Sequence, residues 1–474
     1  MIINPINFNS GGQINGTERN VTLTSGSVKA GDFITIGDKF DPNIANYTMT
    51  DSGSLISHQL RKTHILSQTF DQSGNMTSTT FLVIEKERKG TGSFCFHMYT
   101  IDGDGNAQLI SEYTSTITIG LSNTLDSVIL DATSTNIYIA VFYEPYSSTS
   151  PGLRYTIYNY SVANKTYAPV STQILVNYQY SGVNCRVEKL NNNRLFIVFS
   201  GGQESGDGGK DTSLLRNISG MICSYTTSSI SKITEAVLNT AATNRVGTTF
   251  DIVKLSDTKI FIAFGSYESD SDIYILGGFV CSLDNTYIYT GPVQYTSATN
   301  ISQGYFIRAK LLSDGRVFIT HIYDSSYLGG TFATINNSTD YYSSVSLSGG
   351  IILNLTNSGY YFPNAVEMPN NKIYIFHAGD SSYKLYCSSA TINGTSYENL
   401  KYSQIQNSAY AGIYPEAVKL SDKQILVIHY GESYVTYVSL LSLDQIAKFS
   451  SGIASGVAKT NGSAGETVTV YMPR

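Results

Sequence analysis

Apolar and polar residues alternate with a period of two along much of the chain, which is the spacing of side chains on a β-strand. Stretches such as KIFIAFG (259–265) and RVFITHI (316–322) are rich in β-branched and aromatic residues, which favour strands. Each follows a polar turn, SDT (256–258) or SDG (313–315), whose residues suit a tight hairpin. The pattern therefore predicts pairs of antiparallel strands rather than helices.

This strand–turn–strand unit is repeated along the chain, with copies spaced roughly 50–65 residues apart. Two more strand-like segments follow the unit, as in YILGGFVCSLD (274–284) and TYIYTGPVQYT (286–296). Weaker copies are SVILDATSTNIYIAVFY (127–143) and one that ends in TFLVIEKE (80–87). The clear copies are CRVEKLNNNRLFIVFS (185–200), FDIVKLSDTKIFIAFG (250–265), IRAKLLSDGRVFITHI (307–322), NAVEMPNNKIYIFHAG (364–379) and EAVKLSDKQILVIHYG (416–431).

Four antiparallel strands per repeat at this period are typical of a β-propeller blade. The sequence therefore predicts an all-β protein with a seven-bladed propeller over residues 56–445. A sandwich array and a β-solenoid are the alternatives, and the long period disfavours the solenoid. The GH…WD blade signature is missing, and the Asp box S-x-D-x-G-x-T-W cannot be completed because the chain has no Trp. The blade type therefore says little about chemistry.

The segments outside the repeats, GSVKAGDFITIGDKF (26–40) and SSGIASGVAKTNGSAGETVTVYMPR (450–474), are punctuated by Gly and rich in Thr and Val. The second resembles the closing segment of many phage virion proteins, including tail fibres and head-decoration proteins. Those proteins often end in a run of the form G-V-A-x-T-x-G-x-A-G-x-T-V-x-V. The matching residues are Gly456, Val457, Ala458, Thr460, Gly462, Ala464, Gly465, Thr467, Val468 and Val470.

This resemblance implies that residues 1–55 and 446–474 form one small β attachment domain that carries the propeller between its two halves. Propeller termini lie close together, and close termini tolerate such an insertion. The resemblance also implies a virion protein of the tail or baseplate, assembled in the host cytoplasm. Its expected partners are other virion proteins, bound through the terminal domain, and further copies of itself in a homo-oligomer.

Charge and cysteine content exclude several classes of partner. Lys and Arg number 30 against 36 Asp and Glu, for a net charge of −6, without a long basic run; we therefore expect neither nucleic acid nor an anionic membrane as partner. No apolar run reaches about 18 residues, so no membrane span is expected, and MIINPINFNS (1–10) lacks the features of a signal peptide. The five cysteines include no CxxC, which predicts buried thiols in a reducing compartment rather than disulfides or zinc.

No nucleophile elbow, P-loop or HExxH motif occurs in the sequence, so the chain is predicted not to be an enzyme and to need no cofactor or metal. DGDGN (102–106) is similar to the start of a calcium loop, but Ala107 replaces the expected Gly and Tyr113 stands at the twelfth position. A turn between strands is therefore the better interpretation.

Three histidines occupy the same repeat position, and each precedes a carboxylate by three residues: His321 with Asp324, His377 with Asp380, and His429 with Glu432. A shared metal is excluded because equivalent positions on adjacent blades diverge, whereas ligands must lie about 2.0–2.2 Å from one ion. The pairs either order their loops or contact a ligand.

In a propeller, the loops between the second and third strands and the loops between blades share one face, here the loop face; the first-hairpin turns lie on the opposite turn face. Loop-face segments are rich in Tyr, Asp, Glu, Asn and His, and Tyr suits recognition surfaces, although single tyrosines can also pack between blades. Rings beside carboxylates favour sugar binding. The predicted ligand-binding residues are Tyr178, Tyr180, Tyr267, Glu268, Tyr305, His321, Tyr323, Asp324, Tyr360, Tyr361, His377, Asp380, Tyr410, Tyr414, His429, Tyr430 and Glu432.

Together with the resemblance, this face predicts a host-recognition adhesin of a phage virion that binds a cell-surface glycan or a surface protein. One alternative is a structural or decoration protein of the virion without a ligand. A further alternative is a propeller glycosidase or depolymerase, whose paired carboxylates could come from any blade.

Overall fold

Strands account for the regular secondary structure in the described residues of the computed structural model, and no helix there could span a membrane. The structure describes residues 16–23, 27–28, 33–46, 62–72, 76–86, 93–103, 107–119, 125–145, 152–177, 184–200, 217–239, 245–268, 273–296, 307–323, 327–336, 341–348, 351–352, 363–379, 383–406, 414–430, 436–449, 456–458, 462–463 and 467–473.

In chain order the strands are β1 (Gly16–Leu23), β2 (Ser27–Val28), β3 (Phe33–Asn46), β4 (Lys62–Phe70), β5 (Met76–Lys86), β6 (Ser93–Asp102), β7 (Ala107–Thr118), β8 (Asp126–Ala132), β9 (Asn136–Tyr143), β10 (Arg154–Ser161), β11 (Thr166–Ile174), β12 (Cys185–Lys189), β13 (Arg194–Ser200), β14 (Ile218–Tyr225), β15 (Ile230–Asn239), β16 (Arg245–Ser256), β17 (Lys259–Glu268), β18 (Ile273–Leu283), β19 (Ile288–Thr290), β20 (Gln294–Tyr295), β21 (Arg308–Leu311), β22 (Val317–Tyr323), β23 (Tyr327–Asn336), β24 (Ser344–Leu347), β25 (Ile351–Ile352), β26 (Asn364–Met368), β27 (Lys372–Gly379), β28 (Lys384–Asn393), β29 (Ser396–Gln406), β30 (Glu416–Ser421), β31 (Gln424–Tyr430), β32 (Thr436–Phe449), β33 (Gly456–Ala458), β34 (Gly462–Ser463) and β35 (Thr467–Pro473).

Seven sheets form the blades of a ring, which confirms the predicted all-β, seven-bladed propeller. Blades 1 to 3 are β4–β7, β8–β11 and β12–β15; blades 4 to 6 are β16–β20, β21–β25 and β26–β29, with the fourth strands of blades 4 and 5 each split in two. Blade 7 comprises β30, β31 and β32, with β3 as its fourth strand. The first strands β4, β8, β12, β16, β21, β26 and β30 contact one another in this order, and β30 contacts β4 to close the ring.

The hydrophobic core lies between neighbouring blades, and the second strand of a blade contributes to two such layers. In β13, Ile197 and Phe199 pack with blade 2, whereas the alternate residues Phe196 and Val198 pack with blade 4, and all four are fully buried. A strand buried on both faces needs apolar residues at every position. This explains why the second strands read as continuous apolar runs such as LFIVF (195–199).

Two compact units divide the chain: Met1–Pro42 with Leu441–Arg474, and Asn43–Leu440. In the first unit the two chain ends share sheets, since β1 pairs with β35 in register from Gly16↔Pro473 onward. In addition, β2 pairs with β34, and β33 pairs with both β3 and β35. The N-terminal and C-terminal strands therefore complete one another's hydrogen bonding. The second unit contains blades 1 to 6 together with β30 and β31 of blade 7.

Candidate functional site at the loop face

The strand register places both sets of variable connections at one end of the blades. In blade 3, Cys185 at the start of β12 pairs with Phe199, and Ser200 at the end of β13 pairs with Ile218. The connection from blade 2 therefore arrives, and the loop 201–216 departs, at the same edge. The same antiparallel strand order recurs around the ring. The loop face is thus the end at which the first strands begin.

Four of the predicted ligand-binding residues lie at the loop-face ends of second strands, where the structure describes the backbone: Tyr267, Glu268, Tyr323 and Tyr430. Tyr267 pairs with Tyr274, and Tyr323 pairs with Tyr327, next to the connections that the prediction emphasised. The remaining loop predictions lie outside the described residues: Tyr178, Tyr180, Tyr305, Asp324, Tyr360, Tyr361, Asp380, Tyr410 and Glu432.

The three histidines at the shared repeat position lie inside the blades rather than on the loop face. Each ring is fully buried, and its Nε2 lies within hydrogen-bond distance of a hydroxyl on the third strand of the same blade. The Nε2-to-hydroxyl distances are 3.1 Å from His321 to Thr331, 2.9 Å from His377 to Ser388 and 2.8 Å from His429 to Ser439.

The tautomer of His377 follows from its partners. Its Nδ1 lies 2.8 Å from the carbonyl oxygen of Ala378, which can only accept, so Nδ1 carries the proton and Nε2 accepts the hydroxyl of Ser388. Burial lowers the pKa of His321 and of His377 to about 4, so both rings are neutral at pH 7. These rings connect the second strand to the third. Tyr414, also predicted to bind ligand, is only 5% exposed and lies at a positive φ of 52°.

Sequence reasoning missed a ring of polar side chains that line the central axis at the loop-face end, one from each first strand. The strand pairings place them at matching heights, since each lies opposite a residue near the loop-face end of the second strand. We call this set the channel ring. Its members in blade order are Lys62, Asp126, Arg186, Asp251, Arg308, Asn364 and Glu416.

Cations and carboxylates alternate around the first part of the channel ring and pair across blades. Lys62 Nζ lies 3.3 Å from Asp126 Oδ1, and Arg186 Nε donates to Asp251 Oδ1 at 2.9 Å. The side chains of Arg186 and Asp251 are 7% and 10% exposed, and that of Lys62 is 31% exposed. The Arg186–Asp251 pair is therefore a buried ion pair, whereas Lys62 still reaches solvent.

The pairing skips one blade where Asn364 interrupts the alternation. Arg308 Nη2 lies 3.6 Å from Glu416 Oε2, and the Asn364 amide donates to the same oxygen at 3.1 Å. A longer carboxylate, Glu rather than Asp, therefore joins three consecutive blades.

Each aspartate of the channel ring also binds a backbone amide on the next blade. Asp126 Oδ2 accepts from the Val187 N–H, and Asp251 Oδ2 accepts from the Ala309 N–H, both at 2.9 Å. The same clamp, in which one carboxylate joins a cation of the preceding blade to an amide of the following one, thus occurs twice. Charge-assisted hydrogen bonds of this kind are strong and directional.

The environment separates the acidities of the carboxyl groups near the channel ring. Burial disfavours the Asp126 carboxylate, but Lys62, Arg186 and the amides of Val187 and Ser127 outweigh burial and lower its pKa. Burial instead raises the pKa of Glu416 and of Glu188. The axis therefore holds one strongly anionic carboxylate close to more readily protonated ones, an arrangement suited to hydrogen bonding of hydroxyl groups.

The signal for the channel ring is visible once the repeats are aligned. In the clear copies the first channel-facing position reads Arg186, Asp251, Arg308, Asn364 and Glu416. No single copy reveals the alternation, because each shows only one polar residue before an apolar strand.

A cavity of about 460 Å³ lies on the turn face between blades 2 and 3. Lys189 and Tyr225 line it, together with the hairpin 191–193. The Lys189 ammonium donates to the carbonyls of Ile129 and Leu130 at 3.1 and 2.6 Å and lies 5.6 Å from the centre of the Tyr225 ring. Its charge is therefore already partnered by the protein. Among the described residues no cluster of His, Cys, Asp and Glu is arranged to hold a metal ion.

Neither a protein-family model nor a curated protein sequence matches the chain. Several solved structures are similar to the chain at low identity. A lectin from Burkholderia pseudomallei is 10% identical, with a TM-score of 0.47, over 82% of this chain and 99% of that one. An α-L-arabinanase from Penicillium chrysogenum in complex with arabinobiose is 12% identical, with a TM-score of 0.43, over 86% of this chain and 99% of that one. The WD40 domain of SCAP from fission yeast is 10% identical, with a TM-score of 0.41, over 86% of this chain and 98% of that one. These likenesses concern the fold and assign no function.

Proposed function

We propose that this protein is a glycan-binding adhesin of a phage tail or baseplate, and that the glycan binds at the loop face. The observation that carries the proposal is the convergence of one polar side chain from each of seven blades at the loop-face end of the axis. Sugars present hydroxyl groups that both donate and accept, and Lys62, whose side chain is 31% exposed, offers them a cationic donor at this end of the axis. The tyrosine-rich connections that start at the same face would add rings for stacking.

The terminal unit supports attachment to a particle. Its strands from both chain ends pair with each other, so the two ends of the chain form one compact unit. The resemblance of residues 456–470 to virion proteins suggests that this unit binds other virion proteins. Labelling intact particles with an antibody against the propeller tests this part: label at the tail supports an adhesin, whereas label at the head favours a decoration protein.

Cell binding by loop-face variants tests the glycan proposal. Tyr267 and Tyr323 lie at strand ends on the loop face, so the double variant Tyr267→Ala/Tyr323→Ala is expected to bind bacterial cells at least tenfold more weakly than the unaltered protein. Phe70→Ala serves as the control, because Phe70 is 49% exposed at the turn-face end of β4, on the opposite face and outside any proposed binding site. Equal binding by the double variant and the unaltered protein contradicts a loop-face site.

A second candidate function, glycoside cleavage, is favoured by one observation: the pKa of Asp126 is lowered while burial raises that of Glu188. Glycosidases use two carboxyl groups whose acidities are separated in this way, one as acid and the other as base or nucleophile. An enzyme would release oligosaccharides from bacterial envelope polysaccharide, and Glu188→Gln would abolish the release. If the unaltered protein binds the polysaccharide but releases nothing, this candidate fails.

A further inference from the structure

Four tyrosines lie together at the outer edge of blades 4 and 5 on the turn face, away from the loop face. Tyr287, Tyr341 and Tyr342 are 63%, 52% and 59% exposed, and Tyr289 lies half-buried among them. We call this set the tyrosine platform. Tyr287 lies in the turn between β18 and β19, Tyr289 lies in β19, and Tyr341 and Tyr342 precede β24. Single exposed rings are ordinary on a protein surface, but a cluster indicates a binding site.

Tyr289 is the centre of the platform. It stacks on Tyr341 with ring centroids 4.2 Å apart and an angle of 29° between the planes. Tyr287 lies 6.3 Å away, and Tyr342 stands edge-on at 6.4 Å and 83°. Since Tyr341 is more than half exposed while one of its faces covers Tyr289, its outer face remains open to solvent.

A carboxylate is fixed beside these rings. Asp284 Oδ1 accepts the N–H groups of Thr286 and Tyr287 at 2.7 and 2.6 Å, and Oδ2 lies 3.4 Å from the Tyr289 hydroxyl. The two backbone amides lower the pKa of Asp284, so it remains an anionic acceptor. Arg194 of blade 3 donates to the Asp284 carbonyl at 3.0 Å. The turn that carries the carboxylate is therefore held before any ligand arrives.

Blades 4 and 5 approach closely enough to form the platform because position 291 is Gly. A Cβ at Gly291 would lie 2.5 Å from the carbonyl oxygen of Ser343, which no side chain tolerates. Lys259 Nζ donates to the Ser343 hydroxyl at 2.9 Å and holds the same segment from blade 4. The close approach of the two backbones at Gly291 and Ser343 therefore positions Tyr289 and Tyr341 so that their rings stack.

We propose that the tyrosine platform binds a neutral pyranoside, independently of the loop face. The open face of Tyr341 can stack on the C–H face of a sugar ring, and Asp284 Oδ2 together with the tyrosine hydroxyls can bond sugar hydroxyl groups. Asp284 and the net charge of −6 disfavour nucleic acids and acidic sugars. The surface area of three exposed rings is also small compared with the roughly 1,000 Å² of buried surface that a specific protein interface requires.

Titration of the full-length protein with methyl glycosides of glucose, galactose, mannose and N-acetylglucosamine, followed by saturation-transfer NMR, tests this site. We expect at least one of these probes to bind. Tyr341→Ala should weaken it about tenfold or more, the equivalent of about 1.4 kcal/mol, whereas Tyr341→Phe should retain most of the affinity. Asp284→Asn should also weaken binding, and Tyr295→Ala, which removes a 44% exposed ring outside the platform, should not.

Two results would overturn the proposal. One is the absence of binding to any of the four glycosides, or binding that Tyr341→Ala leaves unchanged. The other is self-association, measured by light scattering at increasing protein concentration, that Tyr287→Ala and Tyr342→Ala abolish. In that case the platform is an interface between copies of the chain. All four replaced tyrosines are exposed, so loss of folding is not expected to obscure the outcome.

Discussion

Replacing Asp251 by Asn removes the charge of the most deeply buried ion pair of the channel ring while keeping nearly the same volume. Asp251 is 7% exposed, and its two oxygens accept from Arg186 Nε and from the Ala309 N–H, both at 2.9 Å. An Asn side chain has one accepting oxygen, so one of these donors loses its partner. The guanidinium of Arg186 also loses the nearest charge that compensates its burial.

The expected cost is a loss of about 3 kcal/mol in the free energy of unfolding. Removal of one partner from a buried ion pair typically costs about 3–5 kcal/mol, because the remaining charge stays buried without compensation. We expect the lower end of this range, since Asp126 also acts on the Arg186 charge. The double variant Arg186→Leu/Asp251→Leu should cost less than the sum of the two single changes, because it leaves no unpaired charge.

Urea unfolding followed by far-UV circular dichroism and tyrosine fluorescence measures this cost, as the chain has no Trp. The matched control is Glu235→Gln in the exposed pair Lys232–Glu235, whose charged atoms lie 2.8 Å apart and whose lysine side chain is 40% exposed. Breaking such a pair should cost less than about 1 kcal/mol. If Asp251→Asn costs no more than Glu235→Gln, or if the Arg186 and Asp251 changes are additive, the pair does not hold the blades together as argued.

Three further predictions concern the interior of the blades. The folded-state pKa of His321 and of His377 is about 4 against an ordinary 6.5, so each contributes stability that is fully present above pH 6.5 and is lost as the pH falls toward 4. A difference of 2.5 units at 1.36 kcal/mol per unit amounts to about 3 kcal/mol each, and His377→Gln should flatten the dependence of the melting temperature on pH over this window. Gly329→Ala should lower the free energy of unfolding by about 1–3 kcal/mol, because the new Cβ would lie 2.4 Å from His321 Cε1. An unchanged midpoint of urea unfolding would contradict this. All five cysteines are buried free thiols, so a thiol-specific reagent should label none in native protein and all five in urea, and fast labelling of the native protein would be inconsistent with the described packing.

The repeat and the blade architecture were predictable because the second strand of each blade is recognisable from its own sequence as a continuous apolar run. Residues such as Phe196 and Ile197 are apolar in succession since both faces of the strand meet other blades. The position of the three histidines was visible in the same alignment. Their burial was not, because it depends on partners such as Ser388 and on the space left by Gly329, which lie on a different strand.

Long-range strand pairing is the part of the fold that a local reading of the chain does not supply. Strand β3 extends to Asn46 and forms the fourth strand of blade 7 beside β32, a pairing across about 400 residues of chain that no local pattern encodes. The tyrosine platform was missed for the same reason, since Tyr289 and Tyr341 are brought together only by the packing of two blades.

The most direct test of the central claim is the binding of purified full-length protein to a panel of bacterial strains, before and after periodate oxidation or protease treatment of the cells. The account predicts binding to at least one strain that periodate abolishes, that protease spares, and that Tyr267→Ala/Tyr323→Ala weakens while Phe70→Ala does not. Binding that survives periodate but is lost after protease would identify a protein receptor and contradict the glycan. A folded protein that binds no strain, or whose binding is lost through Phe70→Ala alone, would contradict recognition at the loop face.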